Sequence, residues 1–77
     1  MTKLPIPSPS YLDKQEYLGF IHGERRWRSL CKRRIYTWDA FHGEIEVFNS
    51  RGKHLEVLDA ESGETIKDAV KGRKINV

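Results

Sequence analysis

The sequence predicts an α+β fold: a short N-terminal helix packed on a twisted antiparallel β-sheet of four to five strands. Three observations lead there. From residue 33 onward, polar and apolar residues alternate with a period of two. The alternating segments are separated by short turns that carry glycine. Residues 10–19, "SYLDKQEYLG", instead carry a helix-start residue and a glycine stop.

The 77 residues make one domain, 1–77, too short for a second core. Residues 1–9 hold prolines at 5, 7 and 9, which fix an extended, non-helical arm. In residues 10–19, Ser10 is the expected N-cap, with Asp13 at the positive end of the helix dipole. Tyr11 and Leu18 lie seven apart on one face, so this helix packs on the sheet. Residues 20–34, "FIHGERRWRSLCKRR", are expected to form a basic loop with a turn at His22-Gly23. The sheet occupies 33–77. "RRIYTWD", "EIEVFN" and "KHLEVLD" are its first three strands, and "ETIKDAV" and "RKINV" supply a fourth and a fifth. The separators "FHG", "NSRG" and "AESG" place glycine where positive φ is needed.

The formal net charge is +3, and the cations are clustered. "ERRWRSLCKRR" holds six arginines and lysines, and "KDAVKGRK" holds four. Such clusters fit a polyanion partner, above all nucleic acid. Cys31 is the single cysteine, so no internal disulfide forms, and it reads as a structural residue. No segment approaches the apolar length that spans a membrane, and "MTKLPIPSPSYLD" has no apolar core of a secretory signal.

The chemistry concentrates in "IYTWDAFHGEIEVF", residues 35–48, where Asp39, His42, Glu44 and Glu46 fall within eight positions. Alternation puts Glu44 and Glu46 on one face, opposite Ile45 and Val47. Pairing apolar with apolar residues in the next strand adds His54 and Glu56 to the same polar face. A sheet with one wet side carries polar residues as a matter of course. Grouped carboxylates repel one another, however, and need a compensating charge. A carboxylate and an imidazole make a base and an acid whose pKa values neighbouring charges can bring toward neutrality. RNA supplies its own nucleophile in the 2′-hydroxyl, so such a pair, with an arginine on the phosphate, suffices to cleave it. The same donors suit a divalent ion. Neither an HExxH helix nor a DxDxDG loop occurs, so no metal site and no cofactor are expected.

A longer pattern joins these residues. Arg26-Trp27 is followed after eleven residues by Asp39, within "IYTWD", and then by "HGEIE" at 42–46. Gly52, His54 and Leu55 follow in "GKHL", then Asp59, the Ser62-Gly63 turn and "GRKIN" at 72–76. Over residues 26–77 the chain resembles the cytotoxic ribonuclease domains of the cloacin and colicin E-three type, with about one residue deleted in the second turn. That family implies a metal-independent endoribonuclease that cuts 16S ribosomal RNA at the decoding centre and blocks translation. The resemblance makes Glu46 the general base, His42 the general acid, Asp39 the group that orients and tunes His42, and Arg73 the phosphate ligand. Glu44 and His54 are auxiliary site residues. Tyr36 and Trp38 are expected to stack on bases, and Arg33, Arg34, Lys53, Lys71 and Lys74 to contact RNA. Simple alternation groups Arg73 with Ile75 and Val77, away from the polar face, unless the chain bends before it.

The expected partners are the ribosome and its 16S RNA, together with an acidic immunity or antitoxin protein. No membrane and no small-molecule cofactor are expected, and the site of action is the cytoplasm of the producing or a target cell. Met1 and the compact arm favour a free-standing toxin, although a cloned domain of a bacteriocin would look the same. The other reading is a non-catalytic RNA- or ribosome-binding module, and a third is a metal-dependent nuclease. Asp39, His42 and Glu46 discriminate, because a binder would carry lysine there.

Overall fold

A computed structural model describes residues 3–77. Strands β1 (Glu16–Ile21), β2 (Glu24–Arg28), β3 (Arg34–Asp39), β4 (Glu44–Asn49), β5 (His54–Asp59) and β6 (Thr65–Asp68) form one antiparallel sheet in sequence order. Each strand pairs with the next through a short turn, so the sheet is an uninterrupted meander. The β4 strand has the predicted bounds, and β3, β5 and β6 lie within the predicted segments.

The α+β expectation is overturned. Among the described residues the only helical element is a single 3-10 turn, Tyr11–Lys14. Its predicted start is real: Ser10 Oγ accepts the Leu12 N–H at 3.2 Å, and the Ser10 N–H donates to Asp13 Oδ2 at 2.8 Å. The helix does not propagate, because Gln15 is already extended and Glu16–Ile21 pairs with β2. Tyr17, Phe20 and Ile21 favour a strand, and Gly19 within a helix would cost about 1 kcal/mol. The basic loop is corrected in the same way. His22 and Gly23 do form the turn, but Glu24–Arg28 is strand β2. The predicted fifth strand at 73–77 is absent; one isolated bridge, Lys53 to Lys74, is its only sheet pairing. Residues 69–77 instead form a strap. Cys31 is exposed rather than structural, with its Sγ 3.3 Å from Ser29 Oγ.

One sheet face is the core. Trp27, Tyr36, Ile45, Val47 and Leu58 pack there with Leu12, while Ile6, Tyr11, Trp38 and Leu55 lean against them. The arm and the 3-10 turn cover this face. Leu4 N–H donates to Ala40 O, and Tyr11 N–H donates to Ala60 O. Met1 and Thr2 of the predicted arm lie outside the described residues. Gly63, at φ +77°, is required for this packing, since a Cβ would lie 2.2 Å from the Tyr11 ring.

The opposite face follows from the register. Paired residues share a face, so Arg26, Thr37, Glu46, Val57 and Lys67 form one row across five strands. Asp39 and Glu44 pair in the adjacent row, with Asp59 beyond. The predicted membership of this face needs two changes. Val57 lies opposite Glu46, and Glu56 lies opposite Val47. A bulge then leaves Leu55 unpaired and sets His54 opposite Phe48, on the Glu46 face.

Candidate active site

The turn between β3 and β4 is built around Asp39. Its Oδ1 accepts the N–H groups of Phe41 at 3.0 Å and His42 at 3.2 Å, and its Oδ2 lies 2.8 Å from His42 Nδ1. Burial pushes the Asp39 carboxyl up, but the hydrogen bonds from the His42 ring and the two amides outweigh it and hold the group below its ordinary value. With Nδ1–H donating to Asp39, the His42 Nε2 is the free ring nitrogen, on a side chain that is 65% exposed.

Glu46 sits two residues into β4, on the same face as Glu44. Its two oxygens are held from opposite sides. Arg73 Nη1 donates to Oε1 at 2.5 Å, and His54 Nε2 lies 2.8 Å from Oε2. His54 is only 1% exposed, and its Nδ1 accepts the Val70 N–H at 2.9 Å. The proton of a neutral His54 therefore sits on Nε2 and donates to Glu46. Arg73 reaches the site because it is not in a strand, so alternation does not govern it. The strap crosses the sheet on bonds from His54 N–H to Arg73 O at 3.1 Å and from Ile75 N–H to Gly52 O at 2.9 Å. Arg26, buried in β2, donates to Asn76 O near the strap's end.

These groups surround a cavity of about 200 Å³, walled by Asp39, His42, Glu44, Glu46, Lys67 and Arg73, with Val57 and Val70 as its apolar part. The four predicted catalytic residues and Glu44 thus line one space, and His54 braces it through Glu46. Sequence reasoning missed Lys67. Its Nζ donates to Glu44 Oε1 at 2.9 Å, and this hydrogen bond raises its pKa. Alternation within "ETIKD", read together with the pairing of two further strands, would have placed it there.

The predicted RNA contacts separate. Tyr36 is corrected: it is 4% exposed, its ring meets Tyr11 edge to face at 5.9 Å, and burial drives its phenol pKa up. It has no face to offer a base. Trp38 is half-buried against the core and donates its indole N–H to Leu4 O at 3.0 Å. Arg33, Arg34 and Lys71 are exposed and line neither this cavity nor the one that follows. Lys53 and Lys74 line a second cavity beside the first, which also includes Arg73.

One set of metal donors exists among the described residues. Ligand atoms of Asp39, His42 and Glu44 lie within 4.8 Å of one another. The first two already bond each other, and Lys67 occupies Glu44.

The family model described as Cytotoxic matches residues 19–76. Cloacin of Escherichia coli is 44% identical over 43 residues, which cover 54% of this chain and 8% of that protein. Colicin E3 of Escherichia coli is 41% identical over 44 residues, which cover 56% of this chain and 8% of that protein. The matched stretch is thus less than a tenth of either relative's length. The family match begins at Gly19, seven residues before the first motif read in the sequence, and so takes in the end of β1, the rest of the sheet and the strap as far as Asn76. With three-quarters of its length matched in this way, the chain belongs to the Cytotoxic family.

Proposed function

We propose that the protein is an endoribonuclease toxin that cleaves RNA by general acid–base catalysis without a metal ion. One observation carries this reading: Glu46, clamped by Arg73 and His54, shares a small cavity with the Asp39–His42 pair. Glu46 takes the proton of a ribose 2′-hydroxyl, and the oxygen attacks the adjacent phosphorus. His42, in its protonated form, gives a proton from Nε2 to the departing 5′-oxygen. Asp39 holds the ring through Nδ1 and so leaves Nε2 facing the substrate. Arg73 exchanges its bond to Glu46 for the charge developing on the phosphate. The products are a 2′,3′-cyclic phosphate and a free 5′-hydroxyl, so atoms balance without a co-reactant.

The substrate in this reading is the 16S ribosomal RNA at the decoding centre, in the cytoplasm of a target or producing cell. It rests on the sequence resemblance to the cloacin type. An acidic immunity or antitoxin protein belongs to the same proposal, on the grounds of the net charge of +3 and the clustered cations.

The donor triangle of Asp39, His42 and Glu44 motivates a second reading, a metal-dependent nuclease. One experiment separates the two. Purified ribosomes are incubated with the protein in EDTA, and new RNA 5′ ends are mapped by primer extension. A single new end in 16S RNA, formed at an undiminished rate in chelator, is expected. Loss of cutting that a divalent ion restores would establish the second reading, and intact RNA in both conditions would end the nuclease proposal.

A further inference from the structure

Beside the acid–base cavity lies a second cavity, of about 340 Å³, lined by Arg51, Lys53, Gly72, Arg73 and Lys74. It has no carboxylate in its wall. Among the described residues, Arg51, Lys53 and Lys74 form no ion pair, and Arg73 is tied to Glu46 on the other side. Lys53 and Lys74 pair directly across the single bridge between strap and sheet. Like charges held opposite one another destabilise a sheet unless an anion relieves them. The backbone fixes this arrangement: Lys53 N–H donates to Asn49 Oδ1 at 3.0 Å, Asn49 N–H to Lys53 O at 2.9 Å, and Ile75 N–H to Gly52 O at 2.9 Å. The cations are thus preset for a ligand that the described residues do not themselves supply.

Arg73 lines both cavities, so the cationic one continues the acid–base one. The order along β4 gives the continuation a direction. His42 precedes the strand, Glu46 lies in its middle, and Arg51 and Lys53 follow its far end. In the proposed reaction the general acid serves the leaving 5′-oxygen, on the 3′ side of the cut. The general base serves the 2′-hydroxyl, on the 5′ side. We propose that the Arg51–Lys53–Lys74 cavity is a subsite for the phosphate immediately 5′ to the scissile bond of single-stranded RNA, and that it sets the direction in which the strand lies. The proposal rests on the acid role of His42 and the base role of Glu46 under the proposed function.

The test uses dinucleotides whose 2′-hydroxyl is replaced by hydrogen, so that they bind without being cut. Each carries one extra terminal phosphate, at either the 5′ or the 3′ end, and is titrated into the protein by NMR. A 5′-phosphate is expected to tighten binding at least about threefold, as befits a charge-assisted contact, and to shift the amide signals of Lys53 and Lys74. A 3′-phosphate is expected to do neither. The double variant Lys53→Ala/Lys74→Ala should lose the 5′ gain. With a longer uncleavable strand, its slope of log affinity against log salt should fall by about 0.7 for each phosphate that it no longer neutralises. Substituting these side chains leaves the backbone bonds of the bridge intact, and the amide spectrum reports whether the fold is kept. A gain from the 3′-phosphate that the double variant abolishes would overturn the direction. No gain from either would overturn the subsite. Since no bond is broken in these titrations, they read the subsite independently of the ribosome-cleavage experiment, whose failure would count against the acid–base chemistry alone.

Discussion

At the scale of single residues, two imidazoles play different parts. His42 is exposed, bonded through one nitrogen and open at the other, as its proposed role of proton donor requires. His54 is buried and bonded through both nitrogens, so it holds Glu46 and leaves neither nitrogen open to a substrate. Glu46→Gln is expected to lower the cleavage rate by about 10²- to 10⁴-fold, the usual value of a general base, with RNA affinity little changed. Single-turnover kinetics on ribosomes, with binding measured in parallel, reads both, and normal cutting would remove Glu46 from the role of base. Asp39 makes a separate prediction. Its carboxyl is held below its ordinary value, so the native state binds its proton less readily than the unfolded chain does. Its stabilising effect is therefore full above the ordinary pKa of about 3.9 and disappears as the pH falls through the lowered native value. Urea midpoints measured from pH 6 downward should fall less steeply in Asp39→Asn than in the wild type at the acid end. Parallel curves would show that these hydrogen bonds carry no linkage. Asp39, His42, Glu44 and Glu46 were legible in the sequence because they lie within one hairpin, where spacing alone determines proximity. Lys67 and the bracing of Glu46 by His54 were not, because they depend on which strands pair and in what register.

At the scale of elements, the strap and the β5 bulge decide what reaches the site. Without the bulge at Leu55, strict alternation would turn His54 away from Glu46. A bulge leaves no mark in an alternating pattern, which is why Glu56 was assigned to the wrong face. The helix misreading has a similar origin. The capping box at Ser10 is genuine, but a cap fixes only a first turn, and the pairing of β1 with β2 takes over beyond it. The strap depends on Gly52, whose φ is +87° and where a Cβ would lie 2.2 Å from Ile75 O. Gly52→Ala should cost about 1–3 kcal/mol through the strained backbone and push Ile75, with its neighbour Arg73, off the sheet. Cleavage should fall well beyond the fraction unfolded, as chemical denaturation and rate measurements on the same sample would show. A variant with full activity would mean that the strap tolerates displacement.

At the scale of the whole molecule, charge and topology dominate. Fourteen lysines and arginines stand against eleven aspartates and glutamates, and the cations cluster instead of dispersing. Association with the acidic inhibitor proposed above should be steered electrostatically, so its on-rate should fall by about tenfold or more when salt is raised from low to several-fold physiological concentration. Stopped-flow mixing reads this directly, and a rate indifferent to salt would show that contact chemistry alone brings the two together. The β3–β6 part of the meander was legible, since consecutive strands with glycine turns admit few other arrangements, whereas β1 and β2 were read as a helix and a loop. Each strand needs only its immediate predecessor, so the strand pairing is local and no long loop must close before the sheet can form, whereas the arm and the strap add their distant contacts to it.

That same sequential order has a consequence for a protein that is itself made on a ribosome. Asp39, His42 and Glu46 are synthesised before Arg73, which follows the last strand and is seated only when the strap closes over a finished sheet. A nascent chain that stops short of Val70 holds the proposed proton donor and acceptor, with Lys67 engaged by Glu44, but lacks Arg73, the cation assigned to the phosphate in the proposed reaction. If ribosomal RNA is the substrate, the machine that builds the protein is exposed to the assembled centre only after the strap has been made and has closed.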